Sequence, residues 1–332
     1  MIDLITRLSQ PRAKADDINT FAKVLAIFAL LMVLAGCIPS QNASPQADKP
    51  SGELASVLQN GILVIASDPA YPPQSNFNRA EPRLANTRCN MSQYTTNQWT
   101  GFDVDVAIEI ARRLGVEPCF VAHPWTQIVA GGWNGLWDIN VGSMVITPER
   151  MKNLYFTQPY ISGEAVIFVH RDNQTYHQPG DLSGKRIGVC TGCAYEAYLH
   201  GTLTIPGEKI ENVIRNPVVV GYDTDTSALA DLALGDGAHL DAVMTDPDTG
   251  NQAIRSGLPI KQLADVVYHD YSGVALDKNS NLDPIPLVRK ITEIIQAMHR
   301  DGTLLKLSQK YYGGDFTSTA ARFNFNTLNQ YP

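Results

Sequence analysis

Short apolar runs rich in β-branched residues recur along this chain, and Pro, Gly, Asp or His punctuate their ends. They lie at residues 62–66, 117–122, 138–142, 163–169, 187–190, 218–220 and 241–246, with a last one over 268–277. Between them the apolar period changes. Val104, Ala107, Ile108, Ala111 and Leu114 recur at helical spacing, with acids leading, Arg112 and Arg113 closing and Gly115 stopping the segment. Asp103 is expected to cap that helix. Residues 53–60 and 225–234 read as further helices, as does a segment with Leu287, Ile291, Ile294, Ile295 and Met298 on one face. Strands alternating with helices argue for an α/β architecture, and 332 residues are too many for one small core but suit two lobes. Charged residues at 18% and apolar ones at 44%, with no low-complexity tract, place the chain among folded globular proteins.

The N-terminus has a separate purpose. Residues 23–37 read KVLAIFALLMVLAGC, a basic flank and an apolar run too short for a comfortable membrane span but suited to an export signal. Leu34-Ala35-Gly36-Cys37 resembles a bacterial lipobox, in which the cysteine thiol is lipidated before cleavage. Residues 1–36 are therefore expected to be a lipoprotein signal peptide, and 37–52, rich in Pro, Ser, Gln and Asn, a flexible tether. Removing the signal leaves 22 basic against 30 acidic side chains, a net charge of −8. Such a surface disfavours nucleic acid.

Export puts the remaining cysteines in an oxidising compartment, where pairing is expected. Cys89 lies in a polar insertion over 74–100 and Cys119 on a strand, so their bridge would staple the insertion down. Cys190 and Cys193 form a Cys-x-x-Cys at a strand-to-helix junction.

The stretch 138–160, DINVGSMVITPERMKNLYFTQPY, organises the rest. A short strand runs into Gly142-Ser143-Met144, whose backbone groups can face a crevice. Thr147-Pro148-Glu149-Arg150 then carries a helix-start signature. Arg150, one turn in, can return a planar fork of donors that suits a carboxylate. This wording, together with residues 101–105, 181–190, 301–304 and 310–314, resembles the bacterial solute-binding proteins that deliver polar amino acids to ABC transporters, over roughly residues 61–314.

The resemblance implies a two-lobed periplasmic-binding-protein-like II fold. Residues 53–162 and 270–314 would form lobe one, 163–269 lobe two, and 315–332 a polar tail, partly ordered at best. A two-strand hinge would cross near 162–164 and 269–271. The resemblance also implies a ligand site. Arg150 would grip the carboxylate, with Ser143 beside it and the Gly142 carbonyl near the ammonium. Tyr71 and Trp125 would enclose the side chain, Asp68 could receive a cationic one, and lobe two would bring the N–H groups near Cys193 and Ala194 together with Asp246. Val145 and Cys193-Ala194 stand where the family usually has hydroxyl residues, so the ligand could be an unusual amino acid or an opine-like zwitterion. The implied partners are that small molecule, an ABC permease and, through lipid on Cys37, the membrane; a monomer without cofactor or metal is expected.

Other readings remain open at this point. Some relatives on the same fold are dehydratases of prephenate-like acids, which need a positioned acid or base. The Cys-x-x-Cys could be redox-active, but no thioredoxin-like pattern surrounds it, and two cysteines make only half a zinc site. A sensory ligand-binding domain is a further alternative.

Overall fold

The structure, a computed structural model, describes residues 50–263 and 265–330. The expected signal peptide, Cys37 and most of the expected tether lie outside the described residues. Two sheets dominate the rest. In the first, the strand order is Glu117–Ala122, Ile62–Ser67, Ile139–Asn140, Ala275–Asp277 and Leu154–Phe156, with the first three parallel. In the second it is Val218–Tyr222, Arg186–Cys190, Ala242–Thr245, Ile161–His170 and Ile260–Gln262, again with the first three parallel.

Each sheet is covered on both faces, which is why its strands read as unbroken apolar runs. Leu63 and Ile65 point into a core with Phe102, Val106, Ile110, Phe120 and Ile291. Val64 and Ala66, alternating with them, face a second core with Trp133, Trp137, Met144 and Phe156. The second sheet repeats the arrangement, with Ile187, Val189 and Met244 on one side and Phe168, Val243, Leu229 and Leu232 on the other.

The long strand Ile161–His170 ties the lobes together. Its first half pairs antiparallel with Tyr268–Ser272, and its second half enters the second sheet. The expected run over 268–277 is broken at Gly273, so Tyr268–Ser272 pairs with Ile161–His170 while Ala275–Asp277 returns to the first sheet. The segment after residue 314 is more ordered than its polar composition suggested. Residues Ser318–Ala321 are helical, Leu328 is buried, and Gln158 donates to the Ala320 carbonyl at 2.9 Å. Phe316 accepts at its carbonyl from both the Ser162 amide and the Ser162 hydroxyl, at 2.8 and 2.9 Å. The tail therefore fastens onto the start of the connecting strand.

The helix Pro247–Arg255 packs so closely on the second sheet that Gly250 leaves no room for a side chain. A Cβ there would stand 1.9 Å from Phe168 Cζ, on a fully buried ring. Gly250→Ala is expected to cost about 1–3 kcal/mol, the range for overpacked cores. Scanning calorimetry should show a lower melting temperature, and an unchanged one would disprove the tight packing.

Candidate functional site

In both sheets the carboxyl ends of the parallel strands open toward the same cleft, where ligands of α/β sheets bind. The chain leaves Ile62–Ser67 into Asp68 and Tyr71, Glu117–Ala122 into Trp125, and Ile139–Asn140 into Gly142 and Ser143. From the other side, Arg186–Cys190 leads to Cys193 and Ala194, Val218–Tyr222 to Asp225, and Ala242–Thr245 to Asp246. One narrow pocket in the cleft is lined by Asp68, Tyr71, Trp125, Gly142, Ser143, Val145, Arg150, Cys193, Ala194, Tyr195 and Asp225. All the expected ligand residues but Asp246 line that one pocket.

Arg150 sits in a single 3-10 turn, Arg150–Lys152, rather than in the longer helix its flanking sequence suggested. Glu149, not the expected Thr147, holds the cap position of that turn, although the Thr147 hydroxyl accepts from the Arg150 amide at 3.2 Å. The guanidinium donates to the Val145 carbonyl at 2.8 Å and, across the cleft, to the Gly192 carbonyl at 2.9 Å. Its carbon lies 5.7 Å from the Trp125 ring centroid. Among the described residues no carboxylate forms an ion pair with it, and burial lowers its pKa to about 10. A guanidinium in that state still has donors to offer an anion.

The backbone beneath it is held by Asp103, which is not the cap of its helix; Gly101 takes that place. Asp103 is fully buried and accepts from the Tyr160 hydroxyl at 2.8 Å and from the Ser143 hydroxyl at 3.0 and 3.1 Å. The Tyr160 oxygen in turn accepts from the Ser143 amide at 2.7 Å, fixing Ser143 at a φ of 47°. Val145, where a hydroxyl was expected by resemblance, instead serves through its carbonyl.

Asp246 caps the helix Pro247–Arg255, its Oδ1 accepting from the Asp248 and Thr249 amides at 2.9 Å each and from Gln74 Nε2 at 3.1 Å. Oδ2 is buried without a partner. Asp246 borders an adjoining hollow that shares Tyr71, Ser143, Val145 and Tyr195 with the Arg150 pocket. Asp68 accepts from the Ala70 amide at 2.8 Å, and Tyr71 meets Tyr195 of the opposite lobe with their hydroxyls 3.5 Å apart. Further bonds close the cleft, from the Thr249 hydroxyl to the Pro72 carbonyl at 3.0 Å and from Gln74 to Asp246.

Cys190 and Cys193 are disulfide-bonded, as are Cys89 and Cys119. The Cys193 amide is already donated to the Cys190 carbonyl at 3.3 Å, so of the two N–H groups expected to face an anion, Ala194 at the first helical position is the better placed. The bridge also accounts for the one cluster of metal-type side chains found among the described residues, Cys190, Cys193 and Asp225. Both sulfurs are consumed in the disulfide, so this donor set does not fit a metal.

Asp225 was missed from sequence, where it only opened a helix. Its signal was positional, since it follows a parallel strand just as Asp246 does.

The sequence profile of the bacterial extracellular solute-binding proteins, family 3, matches residues 85–314. The chain belongs to that family. This solute-binding protein is 28% identical over 268 residues to the L-cystine-binding protein TcyJ of Escherichia coli (strain K12), covering 80% of this chain and 88% of the relative. It is also 28% identical over 222 residues to the ABC transporter arginine-binding protein 1 of the same strain, covering 65% of this chain and 83% of that one. Among solved structures, the ancestral amino acid-binding protein AncCDT-1, a precursor of cyclohexadienyl dehydratase, superposes with a TM-score of 0.62 at 24% identity, over 79% of this chain and 100% of its own. That likeness shows the two-lobed fold. Family membership makes this an exported solute-binding protein.

The acids around the cleft give it a pH signature. Burial first of all pushes Asp103, Asp225 and Asp270 each up to about 7. In the unfolded chain they ionise near about pH 4. Between those values the folded state holds protons that the unfolded state has lost, so stability falls as pH rises. Asp301 and Asp315, lowered to about 2, lose their contribution only below that window. The empty protein is expected to melt several degrees higher at about pH 5 than at about pH 8. A thermal-melt series across pH with no such decline would contradict the burial of these acids.

Proposed function

We propose that the protein captures an amino acid or a related zwitterion in the interlobe cleft and delivers it to an ABC permease. Arg150 carries this reading. It is a half-buried guanidinium at a closed cleft, with backbone carbonyls but no carboxylate of the described residues paired to it, and a ligand carboxylate supplies the missing charge. Asp246, with one buried oxygen unpartnered, takes the ammonium. Tyr71 and Trp125 pack on the ligand, and the Gly142 carbonyl and Ala194 amide complete its polar contacts. Closure is favoured because the bound molecule has partners on both lobes. The protein acts as a monomer held to the membrane by lipid on Cys37, and the ligand leaves unchanged.

Isothermal titration of the mature domain with a panel of amino acids tests the reading. At least one is expected to bind with one-to-one stoichiometry and to be recovered intact. A panel without binding, or conversion of prephenate or arogenate to an aromatic product, would overturn it.

A further inference from the structure

We propose that Asp225 reads the ligand's side chain, forming with Asp68 of the opposite lobe a subsite for a second positive charge, so that the ligand is an amino acid whose side chain ends in a cation. The inference rests on the amino-acid reading of the cleft and goes further by naming the side-chain chemistry.

Asp225 opens the helix Asp225–Leu232, yet that helix does not need it as a cap. Thr224 holds the cap position, its hydroxyl accepting from the Ser227 amide at 3.2 Å. Asp225 is only 5% exposed, and its Oδ1 is buried without a hydrogen-bond partner. It lines the pocket that also holds Asp68, Tyr71, Trp125 and Arg150. One wall beside it is the Cys190–Cys193 disulfide, with both sulfurs and a carboxylate oxygen all within 4.8 Å of one another. Sulfur in a disulfide has no hydrogen to donate, so that wall offers Oδ1 no partner.

Charge balance then points to the ligand. A single zwitterion brings one carboxylate for Arg150 and one ammonium for Asp246, which leaves Asp68 and Asp225 facing one pocket. Asp225 is buried and Asp68 half-buried, and desolvation is the largest cause that pushes each carboxyl up, Asp225 to about 7 with the neighbouring Asp246 and Asp68 adding to it. Buried acids without a counter-charge are costly. A neutral side chain would leave them so, whereas a guanidinium or ammonium between the lobes would satisfy both. That cation would also join Asp68 on lobe one to Asp225 on lobe two, adding to closure.

L-Arginine and L-citrulline test this, because they share length and shape and differ in charge at the side-chain end. Titration of the wild-type domain is expected to show L-arginine binding at least about tenfold tighter than L-citrulline, as for one charge-assisted hydrogen bond gained. Asp225→Asn should bring the cationic ligand and L-citrulline within about threefold of each other. The empty variant should melt no lower than wild type, since it loses a buried charge, which separates this result from misfolding. Equal affinity of wild type for L-arginine and L-citrulline, or an undiminished preference in Asp225→Asn, would overturn the proposal. If neutral amino acids alone bind, and Arg150→Ala abolishes that binding, the cationic subsite falls while the amino-acid reading stands.

Discussion

Arg150→Ala is expected to weaken amino-acid binding by at least about 100-fold while leaving the empty protein folded. The loss follows from chemistry, because two parallel charge-assisted hydrogen bonds to a carboxylate disappear together in a buried site, each in the range of about 1.5–3 kcal/mol. The survival of the fold follows from what Arg150 lacks. Its guanidinium is desolvated, with its pKa lowered to about 10, and its bonds go to the Val145 and Gly192 carbonyls. Alanine removes a half-buried, desolvated charge and frees two acceptors, opposing effects that should leave the melting temperature within a few degrees. Arg150→Lys should fall between, since an ammonium keeps the charge but not the planar fork. Titration calorimetry beside a thermal melt separates the two quantities. An alanine variant that binds within about threefold of wild type would remove Arg150 from the site.

The two disulfides should prove to have different jobs. Cys89–Cys119 closes a loop with a sequence separation of 30, and Cys190–Cys193 one with a separation of 3. By chain entropy alone the first is worth roughly 3.5 kcal/mol and the second less than about 2. Replacing Cys89 and Cys119 by serine should therefore lower the melting temperature by roughly 10 °C and leave affinity nearly untouched. Neither residue lines the cleft pocket. Replacing Cys190 and Cys193 by serine should reverse the pattern. Gly192, whose carbonyl receives Arg150 across the cleft, lies within the small loop, and Cys193 borders the pocket. There the melting temperature should fall by a few degrees at most, while affinity drops by about tenfold. Matching effects from both pairs, in melting and in affinity, would show that the small loop has no special tie to the ligand.

Much of this was legible because strands buried on two faces leave a strong record. Residues 62–66 are apolar at every position since Leu63 and Val64 face different cores. Arg150 was legible for another reason: a strand end, a Pro at a helix start and a fork of donors lie within a dozen residues. Asp103 was misread because an acid in a first turn is ordinarily a cap, and only the tertiary approach of Tyr160 and Ser143 makes it a buried acceptor. Asp225 gave only a positional hint, its place after a parallel strand. Its meaning arises when a strand end of one lobe comes to rest beside Asp68 of the other. The segment after residue 314 was misjudged through composition, since Phe323 and Leu328 find apolar neighbours that no periodicity announced.

That last segment bears on how the protein is handled. The family profile ends at residue 314, and a truncation designed from it would stop there. Such a shortened chain would lose Phe316 from Ser162, Ala320 from Gln158 and Gln330 from Phe156, all on or shortly before the strand that runs between the two sheets. With the excised piece go the acceptors of the Ser162 hydroxyl and the Gln158 amide, and affinities taken from a protein shorn of it need not be those of the whole.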